Sequence, residues 1–490
     1  MAKREDLRSQ ASIIEAPYPL VDNEVSLIKE YNDFTDIIGQ PLKKPMPQVE
    51  TDRFIVRFIL FALLMVVTGK ALVHSNSYFY IYGILVTTVP LVTFYIAFKK
   101  YQDPVLDAAG LSPHANIDYR VSCLVAVRNE EDIIEDCIES LIDSTYENKE
   151  IIFINDASTD GTKQILDHYH NRGLITAIHL KENVGKKKAL ALGVLRSTGD
   201  IFVFSDSDSV VARDAVDRIV NAFRADPLTG AVSGHCRALN SGRNLITRIQ
   251  DSWYEGQFSV RKAFESIYGC VTCVSGPLAA FRREAVFNFI PAWENDSFLG
   301  QEFKFATDRT LTGFVLGSKI IGGKLKKQYA DSVFIKNVDY PLRDWRVVYS
   351  KSARAWTEVP DTFKKLIKQQ VRWKKSFIRN MFFTGLFYWR KPILPAIAYY
   401  LHILFVLFGP FIAFRHLAYL PLQGNILSVF LYLGGVFFIG SMFGLAYKRE
   451  NRSCHLWMYR PLMSLLSTLV LSWLIFYSIF TIRKMTWTRG

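Results

Sequence analysis

The sequence predicts a layered α/β domain, a mixed sheet with flanking helices, inserted between transmembrane and interfacial α-helices. Three observations predict it. Apolar runs long enough to cross a bilayer lie on both sides of a central region in the 490-residue chain. Within that region, from Tyr119 to about Asp339, short β-branched runs alternate with amphipathic stretches, the pattern of alternating strands and helices. Four polar clusters also stand in order between the apolar runs: Asn155-Asp156-Ala157-Ser158-Thr159-Asp160, Asp206-Ser207-Asp208, Thr307-Asp308-Arg309 and Gln369-Gln370-Val371-Arg372-Trp373.

The chain is 50% hydrophobic, with its apolar residues concentrated toward the two ends, so a wholly soluble protein is not expected. A formal charge of +13 would suit nucleic acid. The basic residues crowd beside the apolar segments, however, where the positive-inside rule and anionic lipid account for them. No nucleic-acid partner is expected, and membrane lipid is. Six scattered cysteines, at 123, 137, 236, 270, 273 and 454, fit reduced cytosolic thiols. Cys270-Val271-Thr272-Cys273 has no second pair at zinc spacing and reads as packed thiols.

Residues 1–52 are polar and proline-containing and read as a cytosolic N-terminal extension rather than a signal peptide, with a short helix near residues 24–31. Residues 54–73 and 78–98 are each long enough for ~30 Å of hydrocarbon as helices and form a transmembrane hairpin over 53–100. Arg53 before it and Lys99-Lys100 after it put both flanks in the cytosol, and Arg57 snorkels toward its near end. Over 101–342, strands are expected at 121–127, 150–155, 176–180 and 201–205, with helices at 131–140, 161–171 and 186–197. Residues 343–392 hold a basic, aromatic amphipathic stretch, 362–389, that lies along a membrane surface. Two further spans, 393–414 and 426–447, fill 393–447. The last apolar run, 461–482, has basic residues on both sides, so within 448–490 it is expected to dip into or lie on the membrane; four spans result, and five if it crosses.

Several polar residues follow strand ends, where open α/β sheets hold ligands. Arg128 and Glu130 leave the first strand toward a nucleotide's base and ribose. Asp156, after the second, accepts from a uracil N3 or a ribose hydroxyl, or else closes an Asx turn or caps the next helix. Asp206-x-Asp208 follows the apolar strand Ile201-Phe202-Val203-Phe204. Two hard carboxylates with room for phosphate oxygens suit Mg²⁺ or Mn²⁺, which neutralises a departing diphosphate. Lys186-Lys187-Lys188 opens a helix, where ammonium groups and dipole favour an anion, with Lys187 as the donor-side residue; a solvated charge run is the alternative. Asp308 stands apart from other carboxylates except Glu302 and suits a single base taking a proton from an acceptor hydroxyl, a surface ion pair being the other reading. Gln369, Arg372 and Trp373, at i, i+3 and i+4, share a helix face. There arginine can clamp a diphosphate and tryptophan can stack on a sugar, or else the group is an ordinary interfacial aromatic-basic cluster.

On these residues the chain resembles the processive family 2 glycosyltransferases, and most of all the hyaluronan synthases, with their chitin-synthase and nodulation chitooligosaccharide-synthase relatives. The resemblance runs from about Val121 to the C-terminus. Its more specific matches are Cys273-Val274-Ser275-Gly276-Pro277-Leu278, Phe281-Arg282-Arg283, Asn295 with Phe298-Leu299-Gly300, Asp308-Arg309-x-Leu311-Thr312 and Lys375-Ser376-Phe377. The tail Trp487-Thr488-Arg489-Gly490 is similar to a hyaluronan-synthase tail motif, whereas Thr307 stands where an acidic residue usually precedes the base. The resemblance implies a GT-A domain, Asp156, Asp206 and Asp208 on UDP and metal, and Asp308 as base. It also implies Ser275, Gly276 and Pro277 at the acceptor, and Gln369, Arg372 and Trp373 closing the donor pocket beneath a channel, with Trp373 also reaching the acceptor. The implied enzyme is a multi-pass hexosyltransferase of the plasma or cytoplasmic membrane with a cytosolic catalytic domain. It would polymerise UDP-GlcNAc and UDP-GlcA or another UDP-sugar, by inversion, and export the nascent polysaccharide through its own helices. A GlcNAc homopolymer synthase and a lipid-phosphate sugar transferase are the alternatives.

Overall fold

The computed structural model describes residues 77–107, 117–450 and 456–484. The expected N-terminal extension, the first expected span and the tail 487–490 lie outside the described residues. A long apolar helix, α1 (Ser77–Lys100), opens the described chain. The layered domain then runs β1 (Val121–Val127), α2 (Ile134–Ile142), β2 (Lys149–Asn155), α3 (Thr162–Asn171), β3 (Thr176–His179), α4 (Lys186–Arg196), β4 (Ile201–Asp206), β5 (Ser209–Val211) and α5 (Ala215–Ala225). It continues through β6 (Thr229–Ala238), α6 (Leu245–Gly256), β7 (Ala279–Arg282), the small hairpin β8 (Ser297–Phe298) and β9 (Gln301–Glu302), α7 (Thr307–Gln328) and β10 (Arg346–Thr357).

Eight of these strands form one mixed sheet in the order β3-β2-β1-β4-β7-β6-β10-β5. The β3-β2-β1-β4 half is parallel, and β7 joins β4 and β6 antiparallel. Every residue of β1 is buried, as a central parallel strand covered on both faces requires. The two-residue period sorts the core. Leu124, Ile152, Ile154, Phe202 and Phe204 pack on one face, and Cys123, Val125, Ile151, Phe153 and Val203 on the other. The register aligns Val127 with Asn155 and Ala126 with Asp206, so the loops carrying Arg128, Asp156 and Asp208 all leave the same edge of the sheet.

Beyond the domain, α8 (Phe363–Phe383) is capped by the Thr362 hydroxyl, which accepts from the Lys365 N–H at 3.4 Å. The expected stretch to residue 389 breaks after Phe383 into two 3₁₀ turns, Thr384–Leu386 and Tyr388–Arg390. Two apolar helices follow, α9 (Ile393–Phe414) and α10 (Leu427–Glu450). Ile81–Lys100, Ile393–Leu422 and Leu427–Leu445 are long and apolar enough to cross a membrane. The last apolar run is instead broken: α11 (Arg460–Leu469) and α12 (Leu474–Phe480) belong to a pair of segments, Leu456–Leu469 and Leu471–Phe480, bent by 43°. Its second limb lies under α8, where the Ser478 hydroxyl donates to the Val371 carbonyl at 3.4 Å and the Lys375 ammonium to the Lys484 carbonyl at 2.7 Å.

Candidate active site

A cavity of about 340 Å³ opens where the carboxyl edge of β4, the start of α7 and one face of α8 meet. Asp206 and Asp208 line it from the sheet, Asp308 from α7, and Gln369, Arg372 and Trp373 from α8. Ser275, Gly276 and Pro277 line it from the turn before β7. A larger groove of about 1040 Å³ shares Asp208, Gln369 and Arg372 with it and also holds Glu130, Lys365 and Lys368. Sequence positions more than 100 apart thus converge on two joined spaces.

Arg128, Asp156 and Lys187 line neither space. Arg128 is exposed. The Asp156 carboxylate holds the loop before α4, accepting from the Val184 N–H at 2.7 Å and the Gly185 N–H at 2.9 Å. Burial outweighs those bonds and raises its pKa. Lys187 departs from expectation. Its ammonium is buried, donating to Asp296 and to the Phe303 carbonyl, both at 2.8 Å. Lys186 is the member of the run that faces the cavity, ion-paired to Asp206. Burial works against the Lys186 charge, yet Asp206, Asp208 and Asp308 hold its pKa above the usual value.

Burial, then the charge of Asp206, pushes the Asp208 carboxyl up to about 7. Asp208 also accepts from the Thr357 hydroxyl at 3.1 Å. Two carboxylates meet at a cavity wall; Lys186 pairs with one of them, and the raised pKa of the other leaves the pair able to take further positive charge. Mg²⁺ or Mn²⁺ fits it, because such ions take few protein carboxylates and complete their shell with phosphate oxygens and water. The described residues contain no cluster of three or more His, Cys, Asp or Glu that could hold a metal alone. Gly276 admits this arrangement, since a Cβ there would come within 2.7 Å of Asp206 Oδ2. Gly276→Ala is therefore expected to lower activity about tenfold by moving that carboxylate; a kinetic comparison with wild type checks it, and equal rates would contradict it.

Asp308 sits in the first turn of α7 after Ala306, which takes the left-handed conformation (φ 59°). Its Oδ1 accepts from the Arg309 N–H at 2.8 Å, and the Cys273 thiol lies 3.5 Å from Oδ2. The Thr312 hydroxyl donates to the Asp308 carbonyl at 2.8 Å and accepts from the Val274 N–H at 3.0 Å. The base candidate and the Ser275–Pro277 turn are thereby stitched together. Cys270 is buried, and both it and Cys273 are free thiols.

Several cavity residues escaped the sequence reading. Trp253 stacks on Trp373 with ring centroids 5.7 Å apart, and Tyr254 lies 6.3 Å from the same ring. Lys262 reaches the wall from a π-helical turn, Gln257–Lys262, a feature that often marks functional sites. Its ammonium donates to the hydroxyls of Ser233 and Ser275 and lies 4.1 Å from the Phe258 ring centroid. Burial lowers its pKa to about 8. The Trp253-Tyr254 pair was the one available signal; nothing in the local sequence marks a π turn.

Residues 122–287 match the family model described as glycosyl transferase family 2. A hyaluronan synthase of Streptococcus pyogenes is 26% identical over 442 residues, 87% of this chain and 96% of the relative. An N-acetylglucosaminyltransferase of Rhizobium meliloti is 30% identical over 266 residues, 54% of this chain and 56% of the relative. Among solved structures, a mannosyltransferase from Pyrobaculum calidifontis in complex with GDP-Man and Mn2+ aligns at 21% identity and a TM-score of 0.48, covering 84% of this chain and 99% of the other.

Proposed function

We propose, for a glycosyltransferase that carries a family 2 domain of GT-A architecture between apolar helices, that it is a membrane-embedded, processive polysaccharide synthase. The reading takes UDP-GlcNAc and UDP-GlcA as donors, inversion at the anomeric carbon, a cytosolic catalytic domain in a multi-pass membrane protein, and export of the growing chain. The observation that carries it is the single cavity lined by Asp206, Asp208, Asp308, Gln369, Arg372 and Trp373.

In this reading the acceptor chain end lies beside Ser275, Gly276 and Pro277, with a terminal sugar stacked on Trp373. The Asp308 carboxylate takes the proton from the acceptor hydroxyl as that oxygen bonds to the donor's anomeric carbon. The bond from that carbon to the diphosphate breaks on the opposite face, and UDP leaves with the electron pair. Arg372 and Lys186 stabilise the charge that gathers on the diphosphate. Asp206 and Asp208 would hold a divalent cation, whose chemistry is to neutralise that same leaving group. Glu130 faces the larger groove, on the side that suits a nucleoside. A polar polymer cannot cross hydrocarbon unaided, which supports a path through the protein's own helices.

The choice between donors rests on two observations. The Lys262 ammonium, bonded to hydroxyls rather than a carboxylate at the cavity wall, favours a sugar chain bearing carboxylates. The N-acetylglucosaminyltransferase similarity favours a GlcNAc homopolymer. Purified protein supplied with each donor separately and then with both decides between them. Polymer only when both are present is expected; polymer from UDP-GlcNAc alone would replace hyaluronan with a chitin-like product.

A further inference from the structure

Asp296 is buried, 4% exposed, and lies outside the cavity lining. Its Oδ2 accepts from the Lys187 ammonium at 2.8 Å and lies 3.5 Å from the Thr310 hydroxyl. Its Oδ1 accepts from the Arg379 Nε at 3.1 Å and also from the Arg379 Nη2. Lys187 and Arg379 are themselves buried, at 6% and 8% exposed. One carboxylate is thus shared by two cations, and each of its partners shares a helix with a cavity residue. Lys187 adjoins Lys186 at the start of α4. Thr310 is two residues past Asp308 in α7. Arg379 is two helical turns beyond Arg372 and so on the same face of α8. The segment just before Asp296 adds a second grip on α7, because the Trp293 indole N–H donates to the Thr307 carbonyl at 2.7 Å.

We propose that Asp296 is a positioning residue for glycosyl transfer: a single buried carboxylate that holds the helices bearing Lys186, Asp308 and Arg372 at fixed distances around the cavity. The proposal rests on the functional reading above. It follows from how the carboxylate's two oxygens are divided. Two guanidinium donors of Arg379 converge on Oδ1 while the Lys187 ammonium takes Oδ2, so α8 and α4 are held from opposite ends of one carboxylate. Transfer is steep in geometry, so a displacement near 1 Å costs about a hundredfold in rate. Lys187 therefore serves the site by holding Lys186 rather than by touching a donor.

The test uses the full chain in lipid nanodiscs, with Asp296→Asn and Arg379→Lys as conservative variants. The first keeps the shape and removes the charge; the second keeps the charge and removes the two guanidinium donors. The expected result is a kcat for donor-dependent UDP release lowered about tenfold in both, with the donor KM within about threefold of wild type. Hydrogen exchange should quicken in the first turn of α7 and along α8 in both variants, a readout independent of turnover. Wild-type kcat in Arg379→Lys, or unchanged exchange at those two helices in Asp296→Asn, would overturn the proposal. Wild-type protein releasing no UDP from any UDP-sugar would instead end the functional reading, while the exchange measurement would still decide whether Asp296 holds the helices.

Discussion

Asp308→Asn is expected to stop polymer formation, lowering transfer about a hundredfold or more, while UDP affinity stays within about twofold. The asparagine keeps the size of the side chain and the bond from the Arg309 N–H. What it loses is the basic oxygen. Asp308 lies at the start of α7, held by Thr312 against the turn that carries Ser275, so the loss is confined to chemistry rather than spread through the fold. Radiolabelled polymer measured beside a UDP titration separates the two effects. Polymer yield equal to wild type would remove Asp308 from the role of base, and loss of UDP binding in step with yield would make it a binding residue.

The second large effect is expected at Asp208. With divalent metal chelated, burial and the charge of Asp206 push its carboxyl up to about 7. The folded state then holds this proton more tightly than the unfolded chain, whose ordinary carboxyl ionises near pH ~4. Stability from the protonated form is therefore present below about pH 4 and declines as pH rises toward about 7, levelling off above it. A chelated wild-type sample should melt at lower temperature at pH 8 than at pH 5, and Asp208→Asn should flatten that slope. Added Mn²⁺ must compete with the proton, so its affinity should weaken by up to about tenfold per pH unit below about 7. The same variant should lose metal-dependent UDP release by about a hundredfold. A wild-type melting temperature in chelator that does not change with pH would contradict this picture of a strained carboxylate pair.

Much of the fold was legible because its strands are buried and bounded. Val121–Val127 was expected and found, and Ile201–Asp206 differs from expectation by its last residue. Hydrophobic runs ended by charged turn residues leave little choice of boundary. The second half of the sheet was not assigned, since β6, β7 and β10 join by long-range pairings that no local period encodes. Spacing put Gln369, Arg372 and Trp373 on one face, and α8 bears that out because i, i+3 and i+4 positions need only a helix. Within Lys186-Lys187-Lys188, however, adjacent residues point about 100° apart. Which lysine faced the cavity depended on the partner of the other, Asp296, more than a hundred residues away. Asp156 shows the same limit: a strand-end aspartate can serve a ligand or its neighbouring loop, and the loop of Val184 and Gly185 holds it here.

The central claim is that one cavity gathers donor, acceptor and base. Cryo-electron microscopy of the full chain in nanodiscs with Mn²⁺ and UDP-GlcNAc tests it most directly. The account predicts a diphosphate between Asp208 and Arg372, the nucleoside in the groove beside Glu130, and the anomeric carbon facing Asp308. Nucleotide density on another face of the sheet, or a donor sugar turned away from Asp308, would contradict it.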